Sequence, residues 1–107
     1  MGIQNLIENS EHEFYISVVS EYEVVIKRTI GKLELKYGFA GFLKRVDELN
    51  LSSIAIQRSH LIEYEKLPLH HRDPFDRLLI AQAKAEKMIL ITNDEQFQNY
   101  EVELIWK

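Results

Sequence analysis

"DPFDRLLIAQAKAEKMILIT" (Asp73–Thr92) passes from a charged start through a helical run into a continuous apolar one. Asp73 stands before Pro74, and proline suits the first position of a helix, where its missing N–H is not needed. Asp73 then takes the N-cap and Asp76 the third helical position. Both carboxylates are favoured by the positive end of the helix dipole. Leu78, Leu79, Ile80 and Ala81 are consecutive, so a helix running to about Lys87 must be covered on more than one side. "MILIT" (Met88–Thr92) is an uninterrupted apolar strand of the kind buried in a parallel sheet.

The rest of the chain repeats this alternation. "FYIS" (Phe14–Ser17) and "SIAI" (Ser53–Ile56) read as short strands, and "VELIW" (Val102–Trp106) as a last one. Tyr22, Val25, Ile26 and Ile30 give a helical face over about 20–30, with Gly31 as its stop. "GFAGFLKRVDELN" carries Phe39, Phe42, Leu43, Val46 and Leu49 at helical spacing. A weaker helix spans His60 to Lys66, ended by Pro68. Residues 3–10 read as the end of a helix with Ile3, Leu6 and Ile7 on one side, and "DEQFQNY" as a short helical turn. Strands separated by helices call for an α/β fold, with a mostly parallel sheet flanked by helices on both faces. Ligands of such sheets bind beyond the carboxyl ends of the strands.

At 107 residues the chain suits a single domain, 1–107. No apolar run approaches the ~20 residues of a membrane span, and the acidic, amphipathic start "MGIQNLIENSEHE" has no signal-peptide character. The absence of cysteine excludes disulfides and thiolate metal sites and fits a cytoplasmic location. The net charge of −4 is a poor overall footprint for nucleic acid, but it is unevenly spread. Between Lys27 and Arg45 six basic residues face one acid, Glu34, a net of +5 that leaves −9 for the remainder. That division suits phosphate contact in one place and cation binding in another, or simply a solvated surface.

Three carboxylates stand at junctions where chemistry is expected. Ser20 and Glu23 have the spacing of a capping box, Asp76 opens the helix after Asp73, and Asp94 follows the "MILIT" strand. Each has a cap reading. Their shared place, at strand ends and the helix starts that follow, is what lets Glu23, Asp76 and Asp94 converge. Converging carboxylates repel and call for a cation, and an oxygen-only donor set selects Mg²⁺ or Mn²⁺. A carboxylate-held divalent ion is the usual equipment for phosphodiester hydrolysis. Thr92 and Asn93 are placed to orient a ligand beside Asp94, though Asn93 also suits a turn. His70 and His71 are adjacent and point apart on most backbones. His12 and His60 lie on separate polar segments without ligand spacing.

"SVVSEYEVVIKRTIGKLEL", "LPLHHRDPFDRLLIAQAKAE" and "MILITNDEQFQNYEVELIW" together resemble the PIN-domain family, in particular the VapC-like toxins of type II toxin–antitoxin systems. The resemblance runs in order along nearly the whole chain and implies a three-layer α/β fold with a parallel sheet of about five strands. It implies a metal-dependent ribonuclease with Mg²⁺ or Mn²⁺ as cofactor, RNA as substrate and a cognate antitoxin as partner. By motif, Glu23, Asp76 and Asp94 match the family's acids as catalytic and metal-holding residues. Asp73 and Thr92 are possible accessories, and Lys27, Arg28 and Arg77 would position phosphates.

The chain departs from the family pattern at its start. The usual first strand ending in an aspartate, of the form L-L-D-T, and the helix after it have no counterpart. The reading is therefore of an N-terminally truncated PIN domain lacking one acid and a central strand. Such a gap would expose sheet edges and apolar surface and favour a homo-oligomer or a rearranged sheet. Alternatively, the chain is a catalytically incomplete remnant that binds a partner such as an antitoxin, or itself, without cleaving RNA. A third reading leaves every acid a helix cap.

Overall fold

The structure, a computed structural model, describes residues 13–69, 73–92 and 104–106. The expected helix over 3–10, His12, His70, His71, the turn "DEQFQNY" and Asp94 lie outside the described residues. The chain forms two compact units, Met1–Ala55 and Ile56–Lys107. Strands and helices alternate as expected of an α/β chain, and its described strands pair in parallel.

In the first unit, β1 (Tyr15–Ser17) pairs with β2 (Ser52–Ile54), with Ile16 opposite Ser53. The connection between them is two helices, α1 (Val18–Thr29) and α2 (Gly38–Glu48). Val19 and Val46 are the buried apolar residues of these helices. Tyr15 donates to Glu13 Oε2 at 2.7 Å, and that bond, reinforced by the carboxylate's charge, holds the phenol above the usual tyrosine pKa of 10.0.

β1 runs into α1 without a loop. Ser17, the last strand residue, is the N-cap, and its Oγ accepts from Val19 N at 3.1 Å. The capping box expected of Ser20 and Glu23 is therefore not how this helix starts. Ser20 lies in the first turn and Glu23 in the helix body. The cap falls earlier because β1 ends where its pairing with β2 ends, a non-local constraint that outranks the local S-x-x-E pattern.

The second unit begins with α3 (Arg58–Lys66), followed by α4 (Pro74–Glu86), which packs against it. Leu67, Ile80 and Ala81 form the core, with Tyr64 and Leu90 against it. Leu78 and Leu79 are half-buried beside fully buried Ile80 and Ala81, the many-sided cover that their consecutive spacing requires. Pro68 ends α3 by holding Leu67 extended, at ψ 135°. β3 (Leu90–Thr92) pairs in parallel with β4 (Leu104–Trp106). β3 is shorter than "MILIT" because the close of α4 uses Met88, whose N–H donates to Ala83 O at 2.8 Å.

His60 is fully buried in this unit. Its Nδ1 accepts from Gln57 N at 3.0 Å, and its Nε2 lies 2.7 Å from Glu86 Oε1. It ties the start of α3 to the end of α4, a role its polar surroundings in sequence do not suggest.

Candidate functional site

The clearest local geometry is at the start of α4. Asp73 is the N-cap and Pro74 the first helical residue, as the sequence requires. Asp73 Oδ1 accepts from Phe75 N at 2.9 Å and from Asp76 N at 3.2 Å, satisfying two N–H groups that the helix itself leaves open. With those donors served by Asp73, the half-buried Asp76 adds a second carboxylate at the positive end of the same helix.

Glu23 is half-buried on α1. Since Ser17 caps that helix, Glu23 has no part in starting it. A nearby carboxylate, Glu21, accepts from Ser53 Oγ at 3.0 Å and so links α1 to β2. Lys27 follows Glu23 at i+4, one turn along the same face. Lys27 and Arg28 are exposed in the last turn of α1, where cations suit the negative end of the dipole.

Arg77, expected as a phosphate contact, has partners within its own unit. It is buried, its Nη1 donates to Pro68 O at 2.9 Å, and its guanidinium lies 4.9 Å from the centre of the Tyr64 ring. These contacts anchor the residues entering the "HHRD" stretch against α3, so the side chain is engaged inside its own unit. Neither its burial nor its partners could be read from a motif that places arginine next to aspartate.

Thr92 is the last residue of β3, opposite Trp106 of β4. Asp94, two residues further on, lies outside the described residues. Among the described residues no three His, Asp or Glu side chains come together as a metal-holding group. The donor chemistry of Glu23 and Asp76 still suits a hard divalent cation. Both are carboxylates, the hard oxygen donors that such a cation takes.

The PIN domain family model matches residues 2–103. Among solved structures, the chain is similar to a chain of the crystal structure of VapBC2 from Rickettsia felis bound to a DNA fragment from their promoter. The TM-score is 0.75 at 19% sequence identity, covering 98% of this chain and 81% of that one. No curated protein matches.

Proposed function

This chain belongs to the PIN domain family, and from that premise we propose that it is a VapC-like, Mg²⁺- or Mn²⁺-dependent ribonuclease. The observation that carries the reading is the match of the PIN domain family model to residues 2–103, with Asp76 in the first turn of α4, where Asp73 makes the cap bonds. Glu23, Asp76 and Asp94 are proposed to hold the metal within a single domain spanning 1–107. When bound, the ion would activate water and offset charge developing on the phosphate. Lys27 and Arg28 would draw phosphates in, Thr92 would help orient the ligand, and Arg77 would fix the residues leading to Asp73.

A cytoplasmic location and a cognate antitoxin as partner are part of the same proposal. Among the described residues no helix is long and apolar enough to cross a membrane.

The test is RNA cleavage with Mg²⁺ by the wild type and by Asp76→Asn. The variant should lose cleavage by orders of magnitude while keeping its circular dichroism spectrum, because the cap bonds at the start of α4 belong to Asp73. Cleavage at the wild-type rate would remove Asp76 from the site.

A second reading, a partner-binding protein without nuclease activity, draws on one feature of the first unit. Val18, Tyr22 and Val25 of α1 and Phe39 and Leu43 of α2, together with Glu21, line an open, mostly apolar groove of about 360 Å³. Such a groove suits an antitoxin segment or a second copy of the chain. Absence of metal-dependent cleavage by the wild type, together with stable complex formation, would favour this reading.

A further inference from the structure

The chain between α1 and α2, residues 30–37, gathers cations around one exposed ring. Lys27, Arg28, Lys32 and Lys36 are all exposed. Lys32 N and Leu33 N both donate to Lys27 O, at 2.8 and 3.2 Å, so the crossing folds back on the last turn of α1 and carries Lys32 towards Lys27. Arg28 reaches the other end of the crossing: a Cβ added to Gly38 would lie 3.5 Å from its Nη2. Lys36 Nζ stands 5.3 Å from the centre of the Tyr37 ring. Among the described residues these four cations have no carboxylate partner, whereas Arg45, further along α2, pairs with Glu48 at 3.4 Å.

Tyr37 is unusual in being both fixed and exposed. Its residue is 76% exposed, and as the N-cap of α2 it makes no side-chain cap bond. Yet the base of its side chain sits over Gly41, where an added Cβ would come within 2.5 Å of Tyr37 Cβ. Any side chain at 41 would displace it. Neither capping nor burial accounts for this ring, which is presented to solvent with Lys36 Nζ over it.

We propose that this crossing binds single-stranded RNA, with Tyr37 as a stacking platform for a base and Lys27, Arg28, Lys32 and Lys36 along the phosphates. The choice of RNA rests on the proposed nuclease activity; the choice of a single strand rests on the ring. A base offers its face to an aromatic side chain only when it is out of a duplex, and stacking combined with a cationic track is how proteins hold unpaired strands. An acidic peptide would answer the charges but leave Tyr37 without a function.

The test uses the full chain in EDTA and fluorescence anisotropy with a labelled short oligouridine, so binding is read apart from cleavage. Tyr37→Ala should weaken binding about tenfold, and Tyr37→Phe, which keeps the ring face, should not. Lys32→Gln and Lys36→Gln should each lower the slope of log affinity against log salt by about 0.7. Wild-type affinity in Tyr37→Ala would overturn the proposal. So would equal binding of an RNA duplex of the same length, tighter binding of oligothymidine, or displacement by polyglutamate as readily as by unlabelled oligouridine. Binding as expected with no Mg²⁺-dependent cleavage would refute the nuclease and leave the surface standing. Cleavage with unchanged Tyr37→Ala binding would do the reverse.

Discussion

His60 takes a backbone N–H on Nδ1, which leaves Nε2 to carry the ring proton and donate it to Glu86 Oε1. A proton on both nitrogens would set the Nδ1–H against Gln57 N–H, two donors face to face at 3.0 Å. The contact to Glu86 is therefore a hydrogen bond that Nε2–H donates to a carboxylate oxygen. His60→Ala should lower the free energy of unfolding by about 1–3 kcal/mol, since it strands a donor and an acceptor. Urea denaturation measures this, and a loss under about 0.5 kcal/mol would mean the bonds contribute little. Nothing in "RSHLIEY" announces this histidine as interior, because its burial is created by α4, more than a dozen residues away. Asp73 is the opposite case. Its cap was legible because aspartate, proline and the first free N–H groups are all local. The same locality misleads at Ser20 and Glu23, whose spacing spells a capping box one turn inside the helix.

Three of the four described helices close in the same way. α1, α2 and α4 each end in a left-handed residue, Gly31, Asn50 and Lys87, at φ 77°, 57° and 55°. In each the next N–H reaches back five residues, from Lys32 to Lys27 O, Leu51 to Val46 O and Met88 to Ala83 O. This is the Schellman arrangement. Glycine suits it and asparagine tolerates it, but lysine carries a Cβ into a region that disfavours one. Lys87→Gly should stabilise the protein by about 1 kcal/mol, read as a higher urea midpoint at unchanged slope; a lower midpoint would show that the Lys87 side chain outweighs its backbone strain. Gly31 made the first of these stops readable in the sequence. The stop at Lys87 was placed by the onset of "MILIT", and no residue type there marks the turn.

Across the whole chain, the class of fold was legible because it follows from periodicity, helical runs separated by short apolar strands, and the PIN family model spans nearly all of it. The candidate site was legible only as a set of residue types at junctions. Glu23 and Asp76 are far apart in sequence and lie in different compact units, and a local pattern carries no information on which distant side chains meet. If these acids hold a metal in the native state, Mg²⁺ at about a hundred times its dissociation constant should stabilise the chain by roughly 2.7 kcal/mol. EDTA should reverse the gain, and Asp76→Asn should abolish it. Thermal melts with and without the ion measure this, and identical melts of the wild type would argue against a native-state metal site.

The junction at Ser17 has a consequence of a different kind. Strand and helix share that residue, so they are geared together with no slack. One residue inserted after Ser17 would turn every side chain of α1 by about 100° about the helix axis. It would carry Glu23 and Lys27 off their common heading while leaving their spacing intact. Length at this point is thus fixed as firmly as residue type, and natural insertions and deletions should be found between α1 and α2 before they are found here.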